Sequence, residues 1–434
     1  MIRTVSTISS LLLGIGLLLM GLALLSTSLG VRAVAEGYND TVTGLIMACY
    51  FGGFIVGSYL CPRLIRRIGP IRSYAALAAI GAVAAFLPTL LVHPIIWALL
   101  RFIVGTALVG LYMVLESWLN SISPNEKRGQ VFAIYMIVTL LAYALGQFLL
   151  LFDPHAQTTA FGIAAVFFSL GLIPIALTRL PEPQLVPVPA LNLQHIISLS
   201  PLSAAGALAG GLATSSFWAL GAVFANRIGL TGEGIVRFMA ITIFGGVLLQ
   251  WPIGRLSDYV DRRIVLTTVS TLAAVAALTA ALVYTRSQTT WLYGVMFVLG
   301  GLLFPIYSLS VAHLNDRVQP DDALDASRSV LLTYGFGALF GPILAGAAMT
   351  LFGPVGLYYY LTFILCGFGV FAALRIRASE PVPEEERSTF MPMTRTSQAV
   401  LELDPRNELP EDMGATDELV ENHNRQSPPS QSVE

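Results

Sequence analysis

The sequence predicts an all-α membrane protein of twelve transmembrane helices in two pseudo-symmetric six-helix bundles, and three observations carry that prediction. Charge is sparse: 55% of the 434 residues are hydrophobic and 12% are Asp, Glu, Lys or Arg, where a soluble domain is about a quarter charged. Apolar runs long enough to cross a bilayer recur twelve times. The chain also repeats itself across its midpoint, Gly105-x6-Tyr112-x7-Asn120 being answered 195 residues later by Gly300-x6-Tyr307-x7-Asn315.

A window of about 19 residues places the spans at 8–31, 42–62, 71–91, 95–119, 130–151, 159–178, 203–226, 235–253, 264–284, 290–314, 327–350 and 355–374. The first follows Arg3 with no small-x-small cleavage site before more spans, so it reads as a retained helix and not a removed signal peptide. Short links then force each helix to return beside its predecessor. The longest internal connection contains Leu-Pro-Glu-Pro-Gln-Leu-Val-Pro-Val-Pro, which runs extended and divides the spans six and six. The expected organisation is a first bundle at 1–178, a cytoplasmic linker at 179–201, a second bundle at 202–377 and a disordered acidic tail at 378–434. In the second half, span eleven carries Gly337-Ala-Leu-Phe-Gly341-Pro342-x-x-Ala-Gly346, a pattern that kinks a helix and permits close packing. The comparable stretch of span five, Ala142-Tyr-Ala-Leu-Gly146-Gln147, has no Pro. By eye, Gly16-x4-Gly21 also matches Gly206-x4-Gly211, and Gly57 matches Gly254. Runs of this length suit helices, not a barrel, whose spans are about ten residues and alternate.

The formal net charge of −2 hides an asymmetry, since 13 of the 26 acidic residues follow Ser379. Links after even-numbered spans hold Arg63, Arg66, Arg67 and Arg72, then Lys127 and Arg128, Arg179, then Arg255, Arg262 and Arg263, then Arg317; odd-numbered spans are followed by Arg32, Arg227 and Arg286. The positive-inside rule therefore puts both termini in the cytoplasm. Basic clusters beside apolar segments argue against nucleic-acid binding. Cys49, Cys61 and Cys366 share no metal-ligand spacing. With no metal cluster, catalytic triad or phosphate-cradling Gly-Lys motif, no enzyme, cofactor or metal is expected.

The link Gly254-Arg-Leu-Ser-Asp258-Tyr-Val-Asp-Arg262-Arg263 resembles the Gly-x-x-x-Asp-Arg-x-Gly-Arg-Lys/Arg loop of the major facilitator superfamily, with Tyr259 at the first basic position and Asp261 in place of Gly. A degraded earlier copy keeps Gly57, Arg66 and Arg67 but has Cys61 at the acidic position. Arg101 and Gly105 meet the family's Arg-x-x-x-Gly pattern in span four. The resemblance covers about residues 8–377, is closest to a bacterial branch, and implies an inner-membrane protein whose two bundles rock about a central site. It also implies that these loops latch one closed state, and that spans one, four, seven and ten line the cavity.

Candidate residues follow. Arg101, near the outer end of span four, either snorkels or faces the cavity as an electrostatic contact, with Glu36 and Asp40 as possible partners; Arg32 and Glu36, four apart, can instead pair with each other. Glu116 lies fifteen residues further on, about 22 Å along a helix, as a protonation group or a structural tie to Lys127 or Arg128. Ser26, Thr27, Ser28, Tyr135, Gln147, Thr214, Ser215, Ser216, Phe217, Trp218, Tyr307, His313 and Asn315 are candidates either to line the route or to glue helices. The expected function is secondary active transport of a small organic solute, with an anion suggested by Arg101, by proton-coupled symport in a monomer. Proton-driven efflux of amphipathic compounds is the close rival. A transporter-like sensor or scaffold using its acidic tail is the different-class alternative.

Overall fold

The computed structural model describes residues 2–123, 128–178, 200–285, 289–318, 320–378, 382–383, 387–393 and 396–397. Among them are twelve helices long and apolar enough to span a bilayer. They are α1 Ile8–Ala35, α2 Asp40–Ile68, α3 Pro70–Thr89, α4 Pro94–Ile122, α5 Gly129–Phe152, α6 Thr159–Ala176, α7 Pro201–Arg227, α8 Gly232–Tyr259, α9 Arg262–Tyr284, α10 Thr290–Asn315, α11 Ala326–Phe352 and α12 Gly356–Ala378. The chain is a multi-pass membrane protein. Leu13, Val83, Ile95, Leu351 and Phe363 stand exposed around its perimeter, as side chains facing lipid must. Twelve crossings put the start of α1 and the end of α12 at one end, called here the terminal end. Most of the linker expected at 179–201 lies outside the described residues, as do Lys127 and Arg286.

Local chemistry sets the helix ends. Asn39 caps α2 by accepting from the Val42 amide at 2.8 Å. Gly69, with φ of 88°, turns the chain between α2 and Pro70, the first residue of α3. Within α10 the helix breaks at Phe304, because Pro305 has no amide hydrogen to continue the ladder.

The two bundles repeat one another in their packing. α2 packs on α4 as α8 packs on α10, α1 on α5 as α7 on α11, and α3 on α6 as α9 on α12. Missing side chains fix the register: a methyl at Gly53 would overlap the Phe102 carbonyl, as one at Gly245 would the Phe297 carbonyl. Gly105 meets the Tyr50 carbonyl as Gly300 meets that of Thr242, and Gly146 meets Met20 as Gly341 meets Leu212. These pairs support the Gly105–Gly300 alignment and correct another. Gly57 lies against Thr106 of α4, and the corresponding contact in the second half is Leu249 against Gly301, so the counterpart of Gly57 is Leu249, not Gly254. Glycine identity alone had misled the match by more than one helical turn.

The halves meet at the end opposite the termini, where α2 lies along α11. Backbones touch there: a Cβ on Gly44 would collide with the Pro342 carbonyl and one on Gly346 with that of Asp40. The Thr41 amide donates to Thr350 Oγ1 at 3.1 Å, the two hydroxyls are 2.8 Å apart, and Arg227 Nε donates to Asp40 Oδ1 at 3.1 Å. The far end is closed by these contacts, and a central cavity extends from Arg101 to Met393, Thr396 and Ser397 at the terminal end.

Candidate functional site: a central cavity with one buried arginine

The cavity, about 200 Å³, is lined by α1, α2, α4, α5, α7, α8, α10 and α11 and by Met393, Thr396 and Ser397 from beyond the last helix. Eight of its lining residues are aromatic. Trp218 stacks on Phe304 with centroids 5.6 Å apart and planes at 8°, and Tyr143 lies 5.2 Å from Trp218. Tyr50, Tyr112 and Tyr334 also line the cavity, among aliphatic side chains and polar groups.

Among those groups is Arg101. Set on α4 with 5% of its surface exposed, it places its guanidinium 4.9 Å from the Tyr50 ring centroid and donates from Nη1 to Ser26 Oγ at 3.3 Å. Its Nε has no hydrogen-bond partner, and no carboxylate lies within ion-pair distance among the described residues. Both expected partners are engaged elsewhere: Glu36 with Arg32 at 2.6 Å, Asp40 with Arg227 at 3.0 Å. A buried cation stripped of water is costly when nothing opposite in charge compensates it. Here a ring face and one hydroxyl are the partial compensation.

Glu116, fully buried on α4 nearer the terminal end, does not itself line the cavity but is bonded by residues that do. Tyr135 donates its hydroxyl to Oε1 at 2.5 Å, Thr396 donates to the same oxygen and Ser397 to Oε2. The tie to Lys127 or Arg128 falls on positions whose side chains are outside the described set.

Other candidates separate by where their helices turn them. Ser26, Thr27, Gln147 and Trp218 line the cavity, Thr27 donating to Gln147 Oε1 at 2.7 Å. Ser215 and Ser216 face Gly341 of α11, and Tyr307 packs edge-on against Tyr334 at 5.0 Å; none of these three lines the cavity. His313 is buried beside the charged groups Arg317, Asp261, Arg263 and Arg262 and also stands away from the cavity. Sequence reasoning missed Tyr50, Tyr143 and Phe304, because an aromatic residue in an apolar span carries no sign of its azimuth.

The loop between α8 and α9 is well formed. Arg262 Nε donates to Asp316 Oδ2 at 2.6 Å and Nη2 to Asp258 Oδ1 at 3.3 Å, while Arg263 pairs with Asp261 at 2.5 Å. Burial pushes the Asp261 carboxyl up, but hydrogen bonds from the Arg263 side chain and amide outweigh it and hold the group below its ordinary value. That pairing stabilises the loop above the ordinary carboxylate pKa and is lost as pH falls through the lowered one. The first-half copy differs: Arg66 and Arg67 are exposed, and Cys61 points at the Thr106 carbonyl, 3.4 Å away. Asp316, which anchors Arg262, was not singled out from sequence, since it belongs to no motif.

Comparison with known proteins accords with this geometry. The chain is 27% identical over 334 residues to a protein of Escherichia fergusonii named uncharacterized MFS-type transporter YcaD, covering 76% of this chain and 86% of that one. A namesake from Escherichia coli is 28% identical over 340 residues with the same coverage. Among solved structures, the nucleoside transporter NupG superposes with a TM-score of 0.65 at 16% identity, covering 87% of this chain and 99% of that one. A bacterial homologue of the human lysosomal transporter Spinster, in an inward-facing and unoccupied conformation, superposes with a TM-score of 0.64 at 15% identity, covering 94% and 99%. At such identities the structures speak for the fold alone. The sequence profile of the Major Facilitator Superfamily matches residues 11–327, and with that match on this fold the chain belongs to the major facilitator superfamily.

Proposed function

We propose that the protein is a proton-coupled secondary transporter of small organic anions with a planar, apolar body, working from the inner membrane of a bacterium with its terminal end in the cytoplasm. The observation that carries this reading is Arg101, a buried cation facing a cavity rich in aromatic side chains with no carboxylate against it among the described residues. An anion entering the cavity supplies the missing charge, and its ring or hydrocarbon part meets Tyr143, Trp218 and Phe304. Membrane transport through such a cavity is the family's shared activity; the anion and the proton are specific to this proposal.

The test is flux in proteoliposomes with pH and voltage set independently, using one- and two-ring aromatic sulfonates and carboxylates and correcting for protein-free vesicles. Saturable uptake of the anions supports the reading, and uptake of neither class overturns it. An inside-alkaline gradient of one pH unit should drive electroneutral symport to about tenfold accumulation, about 1.4 kcal/mol. Uptake indifferent to the gradient removes the proton and leaves a facilitator. Net extrusion under the same gradient identifies the exporter instead.

Glu116→Gln is expected to separate coupling from permeation. The substitution keeps shape and two hydrogen-bonding positions but cannot carry a proton. Gradient-driven accumulation should fall to the protein-free level while exchange at equal pH persists; unchanged accumulation would remove Glu116 from the proton path.

A further inference from the structure

Past the last helix the chain turns back under the bundle. Residues 387–393 run across the loop between α8 and α9, and Thr396 and Ser397 reach the cavity. The acidic tail was expected to be without fixed structure; four of its described residues are buried, with Phe390 8%, Met393 2%, Thr396 5% and Ser397 1% exposed. The contacts are chiefly to its backbone. Asp316 Oδ1 accepts from the Ser388 amide at 2.9 Å, Asp258 Oδ1 from the Phe390 amide at 2.8 Å and Ser308 Oγ from the Met393 amide at 3.0 Å. Arg262 donates to the Ser388 carbonyl. The Phe390 ring fills the space left by the absent side chain of Gly254, where any Cβ would overlap it.

We propose that the cytoplasmic mouth of the cavity is a binding site for an extended polypeptide, that its ligand is the chain's own residues 387–393 with Thr396 and Ser397, and that seating these residues holds the terminal end open. Acceptors on three backbone amides, a guanidinium on a carbonyl and a glycine socket for one ring hold the segment by its main chain and one side chain, as peptide-binding surfaces do. The segment also ties the halves together: Asp258, Asp316 and Ser308 hold it from the second bundle, Glu116 from the first. It stands where α4 and α10 must approach for the terminal end to close. The loop that the family resemblance marked as a latch is thereby engaged by the tail, with Asp258 and Arg262 making both sets of contacts. Docking is independent of what is transported; only its consequence for alternation rests on the transport reading.

Hydrogen exchange on the purified full chain tests this without any solute. The amides of Ser388, Phe390 and Met393 should be protected. Phe390→Asp, which leaves every helix intact, should speed their exchange at least about tenfold, the loss of about 1.4 kcal/mol against local opening. Gly254→Leu should do the same by filling the socket from the other side. Amides that exchange freely in the unaltered chain overturn the site, as does protection indifferent to both substitutions. A far-end disulfide between Thr41→Cys and Thr350→Cys, in a chain with its native cysteines replaced, should raise protection of the segment on oxidation. If oxidation leaves it unchanged, seating does not select the state. Failure of anion flux with these results intact would count against the transport proposal and not against the docked segment.

Discussion

Arg101→Gln is expected to abolish binding and uptake of the anion while leaving the protein as stable as before, or more so. Hydrogen bonds to a charged group contribute about 1.5–3 kcal/mol, and stranding one partner of a buried charge pair costs about 2–5 kcal/mol. Affinity should therefore drop by about a hundredfold or more. Stability should respond with the opposite sign. The free protein carries a guanidinium that is 5% exposed with one hydroxyl and one ring face for company, and a neutral amide is cheaper to bury. A structural arginine would behave otherwise, its removal lowering the unfolding midpoint. Measuring anion binding and thermal unfolding on the same preparation distinguishes the roles: a lowered midpoint with unchanged binding would make Arg101 a strut. Arg101→Lys keeps the charge and loses the planar fork and its stacking on Tyr50, so binding should recover only in part.

The second large effect concerns the closed far end. Gly44→Val puts a branched side chain where the Pro342 carbonyl of α11 now lies, with the Gly346 Cα 3.4 Å from the new Cβ. Overpacking costs about 1–3 kcal/mol, and since this contact joins the two bundles, the cost falls on one conformational state and not on the fold. The population with a closed far end should fall about tenfold or more, read as faster modification of a cysteine placed at Thr350 by an impermeant maleimide. Gly53→Val is the control, because its clash with the Phe102 carbonyl lies inside the first bundle. That variant should lose thermal stability in every state. Equal effects from both would show that the α2–α11 contact is not a moving interface.

Much of this architecture was legible in the chain. Twelve apolar runs gave the crossings because hydrocarbon tolerates few alternatives to a helix, and the Tyr112/Tyr307 coincidence located the repeat. The site was legible only in part. Arg101 and Glu116 stood out as charges in apolar surroundings, yet their partners depend on helix azimuth, which spacing along the sequence does not supply. Glu36 and Asp40 suggested themselves by lying on the same outer side, and both are tied to other arginines. At the C-terminus composition did not mark the docked residues: acidic residues dominate beyond Ser379, while the contacts come from Ser388, Phe390, Met393, Thr396 and Ser397.

Phe304 belongs at once to the cavity wall and to the break in α10. Its ring is one wall of the aromatic clamp with Trp218, and its backbone is the residue at which α10 is interrupted before Pro305. A guest pressed against that ring leans on the weakest joint of the rod that carries it, so occupancy and curvature share a fulcrum.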